Sequence, residues 1–160
     1  MILEIDIPKK FSGRERRIIR ATVRHFFKTL KGLYPPKSPI YKVLKLIKTI
    51  RFVPLSNWDL RHWKIARVDP KTTSKTFLIR LGNTEQVGRW AENRGLTITN
   101  FPMWYASMVS HEIFHCLITF DECIGYVCLE EFVVQFAEWG MAEFLEKKLS
   151  RLKAFSLNID

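Results

Sequence analysis

Apolar positions along the chain change period several times, and each change predicts an element. Residues 2–7 alternate (Ile-Leu-Glu-Ile-Asp-Ile) and Pro8 ends the run, which predicts a short first strand. Over 13–33 the period becomes helical. Ile19, Val23, Phe26, Phe27, Leu30 and Leu33 form one side of this helix, and Ser12 is placed to cap it. Pro35, Pro36 and Pro39 mark a break. Val43, Leu44, Leu46 and Ile47 then suit a short helix, and residues 50–55 suit a strand. Residues 62–69 and 75–82 read as the two arms of a hairpin around Asp69-Pro70-Lys71-Thr72-Thr73. Trp63, Ile65 and Val68 lie on the first arm; Phe77, Leu78, Ile79 and Leu81 lie on the second. Residues 83–100 are polar and read as irregular, with room for a short helix near 85–92. Pro102 suits the first turn of a helix capped by Thr99 or Asn100 and running to about Phe120. A further helix is expected from near Val127 to about Leu152, weakened by Gly140. No internal repeat is visible. The order of elements predicts an α+β fold, with a small antiparallel or mixed sheet packed against an active-site helix and a following helix.

Composition narrows the class. A chain of 160 residues fits a single domain, and 47% hydrophobic residues suffice for a core. The formal net charge of +10 favours anionic partners. Arg17, Arg20, Arg24, Lys28 and Lys31 recur at three- and four-residue steps beside the apolar side of the first helix. They are a candidate stripe for nucleic acid or another anionic partner; the plain alternative is a solvated helix face. Trp58, Trp63, Trp90, Trp104 and Trp139 are spread along the chain and read as core, not as a base-stacking platform. Cys116, Cys123 and Cys128 make an odd count, which argues against a disulfide scaffold and for buried thiols. Neither a signal-peptide pattern nor an apolar run of about 18 residues occurs, so the expectation is a soluble, cytoplasmic protein.

The segment His111-Glu112-Ile113-Phe114-His115 carries the chemistry. Two His at i and i+4 of a helix lie about 40° apart around the axis, so both imidazoles converge on one point. A catalytic zinc needs three protein ligands and an open position. The Glu that follows the first His reaches water at such a site without ligating the metal. It is a candidate general base toward water whose pKa zinc lowers to about 7. The surrounding helix is strongly apolar (Ala106, Met108, Val109, Ile113, Phe114, Leu117 and Ile118). Two His and a Glu are costly to bury there unless something compensates them, and a metal would do so. The bland reading is two core histidines bonded to backbone carbonyls, with Glu112 on a solvent edge.

A third ligand has several candidates. Asp121 lies six residues after His115, but the turn this needs calls for Gly where Ile118 stands, and a β-branched residue at positive φ is disfavoured. Cys123 or Cys128 would give a structural thiolate site with no purpose for Glu112. On the next expected helix, Glu131, Gln135 and Glu138 share one side, with Glu130 beside them. Glu131 is placed to ligate and Gln135 to hydrogen-bond a ligand His. The alternative is that these carboxylates are ordinary charges on a solvated face.

His111-Glu112-Ile113-Phe114-His115, followed on a second helix by Glu131 and then Phe136-Ala137, resembles the gluzincin zinc metallopeptidases. The resemblance is closest to their smallest members, the minigluzincins and ImmA/IrrE-like domains, and covers about residues 75–145. Residues 1–60, with the basic helix, have no counterpart in it. The resemblance implies a zincin-like domain with one zinc per chain. It makes His111, His115 and Glu131 the ligands, Glu112 the general base and a peptide or protein the substrate. It also implies that the strand from Thr76 to Leu81 is the upper edge of the cleft and pairs with an extended peptide. Gln135 departs from the Asp that larger gluzincins carry there. The transition-state stabiliser is unassigned, with Tyr105, Tyr126, His25 and His62 as candidates. A competing expectation is a basic module binding nucleic acid or protein, in which the zinc site is structural or vestigial.

Overall fold

The computed structural model describes residues 3–33 and 35–119. The helix expected over 127–152 lies outside the described residues, and so do Asp121, Cys123, Tyr126, Cys128, Glu130, Glu131, Gln135 and Glu138. The described elements run in the order β1 (Glu4–Asp6), α1 (Gly13–Leu33), α2 (Pro39–Leu46), β2 (Thr49–Pro54), α3 (Asn57–Arg61), β3 (Ala66–Val68), β4 (Thr76–Leu81), α4 (Thr84–Asn93) and α5 (Phe101–Thr119). The fold is α+β. Its four strands form one mixed sheet in the order β1-β2-β4-β3. β1 and β4 both run parallel to β2, and β3 runs antiparallel to β4.

Alternation along the strands sets the inner face of the sheet. Ile50 and Phe52 of β2 and Phe77, Ile79 and Leu81 of β4 are all buried on it. Helices α1 and α5 pack together in the core that covers this face, and Phe26 meets Phe114 edge-on at 4.7 Å. Helix α1 buries the apolar side expected of it, Ile19, Val23, Phe26, Phe27 and Leu30, with Ile18 added. Its first turn is a reciprocal cap. The Glu15 amide donates to Ser12 Oγ at 3.1 Å, and the Ser12 amide donates to the Glu15 carboxylate. That carboxylate, almost wholly buried, also accepts from the Thr84 amide and hydroxyl, which ties the start of α1 to the start of α4.

Two expectations are corrected. The first arm of the hairpin is shorter than 62–69, because a capping box between Ser56 and Asp59 folds Asn57–Arg61 into α3. His62 closes that helix and Trp63 sits at φ 57°, so strand geometry begins only at Ala66. The region 83–100 is also more regular than expected. Asn83 and Gln86 form a second capping box, and α4 follows over ten residues.

Two buried carboxylates hold β3, one through its middle residue and one through the turn that follows it. Asp59 accepts from Ser56 and from the Arg67 guanidinium; Asp69 accepts from the Lys71 amide at 2.9 Å and from Arg80 at 2.7 Å. Burial alone would raise the pKa of both. The hydrogen bonds from Arg67 and Ser56 outweigh it at Asp59, and those from Lys71 and Arg80 outweigh it at Asp69, so both carboxyls are held below the usual range. A depressed folded pKa contributes stability above the unfolded value that is lost as pH falls through the folded one. Urea denaturation should therefore show stability falling as pH drops below about 4. Asp59→Ala, which strands Arg67 and opens the α3 cap, should cost about 2–3 kcal/mol at neutral pH and flatten that acid slope.

Candidate metal centre

Helix α5 delivers the His pair. Asn100 begins it, accepting from the Met103 amide through Oδ1 at 3.2 Å and from the Trp104 amide through its carbonyl at 2.9 Å. The helix has no wide polar face. Phe101, Tyr105, Ala106, Val109, Ile113, Cys116 and Leu117 are all buried, so it runs inside the fold. The hydroxyl of Tyr105 donates to the Gly82 carbonyl at 2.8 Å, and its ring stacks on Phe101 at 5.0 Å. These contacts fix α5 against the end of β4.

His111 and His115 lie one turn apart on the half-buried side of α5. Their Nε2 atoms approach to 2.9 Å, with ring centroids 4.6 Å apart and planes inclined by 65°. Two nitrogens bound to one tetrahedral zinc at about 2.05 Å would stand about 3.3 Å apart, so the pair needs to open by only about 0.4 Å. Two imidazoles converging through the same nitrogen suit a zinc ligand pair, and as donors they fit the metal. Among the described residues no third His, Cys, Asp or Glu completes a group of three. Glu131, the expected third ligand, and Gln135, its expected hydrogen-bonding neighbour, lie outside them.

The His pair opens into a cleft of about 400 Å³ lined also by Glu112, Lys64, Ala66, Arg67, Val68 and Thr119. Glu112 is buried at the cleft wall. The cleft therefore joins α5 to β3, not to β4. This corrects the expectation that Thr76–Leu81 forms the upper edge: β4 is paired on both sides, with β2 and with β3, and has no free edge to offer. Residues 64–68 also precede the 75–145 span that carries the family likeness. The missed signal was topological. Once β2 takes one side of β4 in parallel, the earlier hairpin arm must take the other and become the edge.

The ladder fixes which groups of β3 face the cleft. Gly82 donates to the Ile65 carbonyl at 2.9 Å, and Asp69 donates to the Leu78 carbonyl at 2.8 Å. Antiparallel alternation then turns the N–H and C=O groups of Arg67 toward β4 and those of Ala66 and Val68 toward the other side, an edge that no further described strand occupies. By the same pleat the Arg67 side chain shares the outer face with Arg80, where its guanidinium meets Asp59 and lies 5.7 Å from the Trp58 ring.

The described candidate stabilisers, Tyr105, His25 and His62, do not gather at the cleft. Tyr105 is engaged with Gly82, and His25 is buried on α1. His62 stacks on Trp58 at 4.0 Å, with Nδ1 2.8 Å from the Trp58 carbonyl. None of the three lines the cleft. Burial, followed by the nearby Glu112 charge, pushes the Cys116 thiol well up, in keeping with an inert buried cysteine. In the basic stripe Arg17, Arg24, Lys28 and Lys31 are exposed and Arg20 is half-buried.

Comparison with known protein families, curated proteins and solved structures gives no match for this chain. The site is therefore read from its own geometry. Tyr105→Phe should cost about 1 kcal/mol of stability by urea denaturation, the net worth of its hydrogen bond.

Proposed function

We propose that this protein is a zinc-dependent metallopeptidase with a zincin-like fold, of the gluzincin type that its sequence resembles. One observation carries the reading: the Nε2 atoms of His111 and His115 converge at 2.9 Å on a cleft that also holds Glu112 and the open edge of a strand. A core histidine pair has no need of an adjoining carboxylate and a free strand edge. A substrate-cutting centre needs all three.

In this reading His111 and His115 bind one zinc, with Glu131 as third ligand and Gln135 bonded to one of the imidazoles. The metal supplies Lewis-acid polarisation of the scissile carbonyl and acidifies water at the site. Glu112, on the turn between the two His, accepts the proton of the attacking water and passes it to the leaving amine. The outward amides and carbonyls of Ala66 and Val68 pair with an extended peptide and lay its backbone across the cleft. The side chains of Ala66 and Val68 share the inner sheet face with Leu81 and Ile79, so the pairing brings the peptide to the α5 side.

The test is digestion of an unbiased peptide library, read by mass spectrometry, with and without chelator. Cleavage should stop with chelator and return with zinc. Metal analysis should give one zinc per chain, lost in His111→Ala. Glu112→Gln should keep the zinc and lower kcat/KM by about 100-fold or more. Absence of zinc, or cleavage that survives Glu112→Gln, would sink the proposal. Zinc without any cleavage would instead point to a binding module with a structural centre. Val68→Pro removes an outward N–H without touching the ladder to β4, and should raise KM more than it lowers kcat.

A further inference from the structure

The cleft beside β3 occupies one edge of the sheet. A larger groove, about 760 Å³, opens at the other edge, between β1, the second half of α1 and α2. Three strand spacings separate the two edges, about 14 Å. The groove has a floor that includes Ile5, Phe27, Leu44 and Ile47, and a rim of Arg24, Lys28, Lys31 and Lys45.

Three features select an occupant. The first is charge. Among the described residues no acidic side chain lines the groove, and none of the four cations enters an ion pair. Steps of four and three residues set Arg24, Lys28 and Lys31 in a row about 10 Å long on α1. Lys45 lies on the other helix, its ammonium 5.1 Å from the centre of the Tyr41 ring. The second is the floor. Phosphate contacts alone need a row of cations and no apolar bed; a ligand that fills this groove brings an apolar group together with negative charge. The third is the strand edge. Glu4 donates to the Lys48 carbonyl at 2.9 Å, in a parallel ladder that pairs Glu4 with Thr49. Parallel alternation gives the N–H and C=O of Glu4 and Asp6 to β2 and turns those of Ile5 to the other side, an edge that no further described strand occupies. A donor and an acceptor side by side on a strand edge match peptide backbone. An acyl chain offers them nothing, and a phosphate offers only acceptors.

The geometry points to an acidic peptide segment of a protein partner as the ligand of this groove. One apolar side chain sits on the Phe27–Leu44–Ile47 floor, carboxylates lie along Arg24, Lys28 and Lys31, and the peptide backbone meets β1 at Ile5. The site stands apart from the His pair and does not depend on the peptidase reading.

The test uses the full chain and a fluorescein-labelled peptide of Glu residues around a central Phe, read by anisotropy in the presence of chelator so that nothing is cut. Binding should weaken as salt rises. Replacing the peptide's Glu by Gln, or its Phe by Ala, should each weaken binding roughly tenfold. Lys28→Glu combined with Lys31→Glu, both exposed positions, should abolish it, while His111→Ala should leave it intact. Labelled oligothymidylate and phosphatidylserine vesicles are the competitors. Failure of the acidic peptide to bind would overturn the inference. So would preferential binding of the oligonucleotide or the vesicles, insensitivity to the double charge reversal, or loss of binding in His111→Ala, which would place the peptide in the cleft.

Discussion

A helix that is apolar on nearly every side has to be buried on nearly every side, and α5 imposes that condition on the rest of the fold. The inner face of the sheet and α1 supply its surroundings. Tyr105 anchors it to the carbonyl of Gly82, and Phe114 locks it against Phe26. Only the side carrying His111 and His115 is left half-buried, and there β3 stands across a cleft. The polar chemistry is placed by default: it sits where the apolar packing of α5 stops.

The two edges of the sheet divide the molecule's surface chemistry. At β3, a short antiparallel strand, the neighbours are two imidazoles and a buried carboxylate. At β1, a short parallel strand, the neighbours are four cations over an apolar floor. Among the described residues, both edges turn backbone groups away from the ladder, at Ala66 and Val68 on one side and at Ile5 on the other. One edge thus lies beside a candidate reaction centre and the other beside a cluster of positive charge.

Much of the fold was legible because single residues punctuate it. Ser12, Pro102 and the change of apolar period each located an element to within a residue or two. The expectation failed where a side chain overrode the pattern. Trp63 and Ile65 belong to an alternating run, yet the Ser56–Asp59 capping box spends the preceding residues on a helix, and the strand starts late. Sheet order was harder still. The hairpin between 66 and 81 is local and was readable, but the parallel pairing of β2 with β4 spans a helix and a strand, and no short-range signal fixes it. The position of β4 between two partners followed from that pairing, and so did the identity of the cleft wall. The His pair and Glu112 were legible because helical spacing alone brings them together. Lys64, Ala66 and Val68 join them only through tertiary structure.

The two carboxylates that hold β3 bear on how freely that strand can move. Asp59 holds Arg67 in the middle of the strand, and Asp69 holds the turn that follows it. With Trp63 already committed to a left-handed backbone, this three-residue segment has few conformations left to lose. A chain settling along it gives up its own freedom but asks none of the wall. In the proposed pairing with a peptide, discrimination between ligands would then fall on the incoming chain: an already extended segment should dock more readily than one that must first be unwound from a helix.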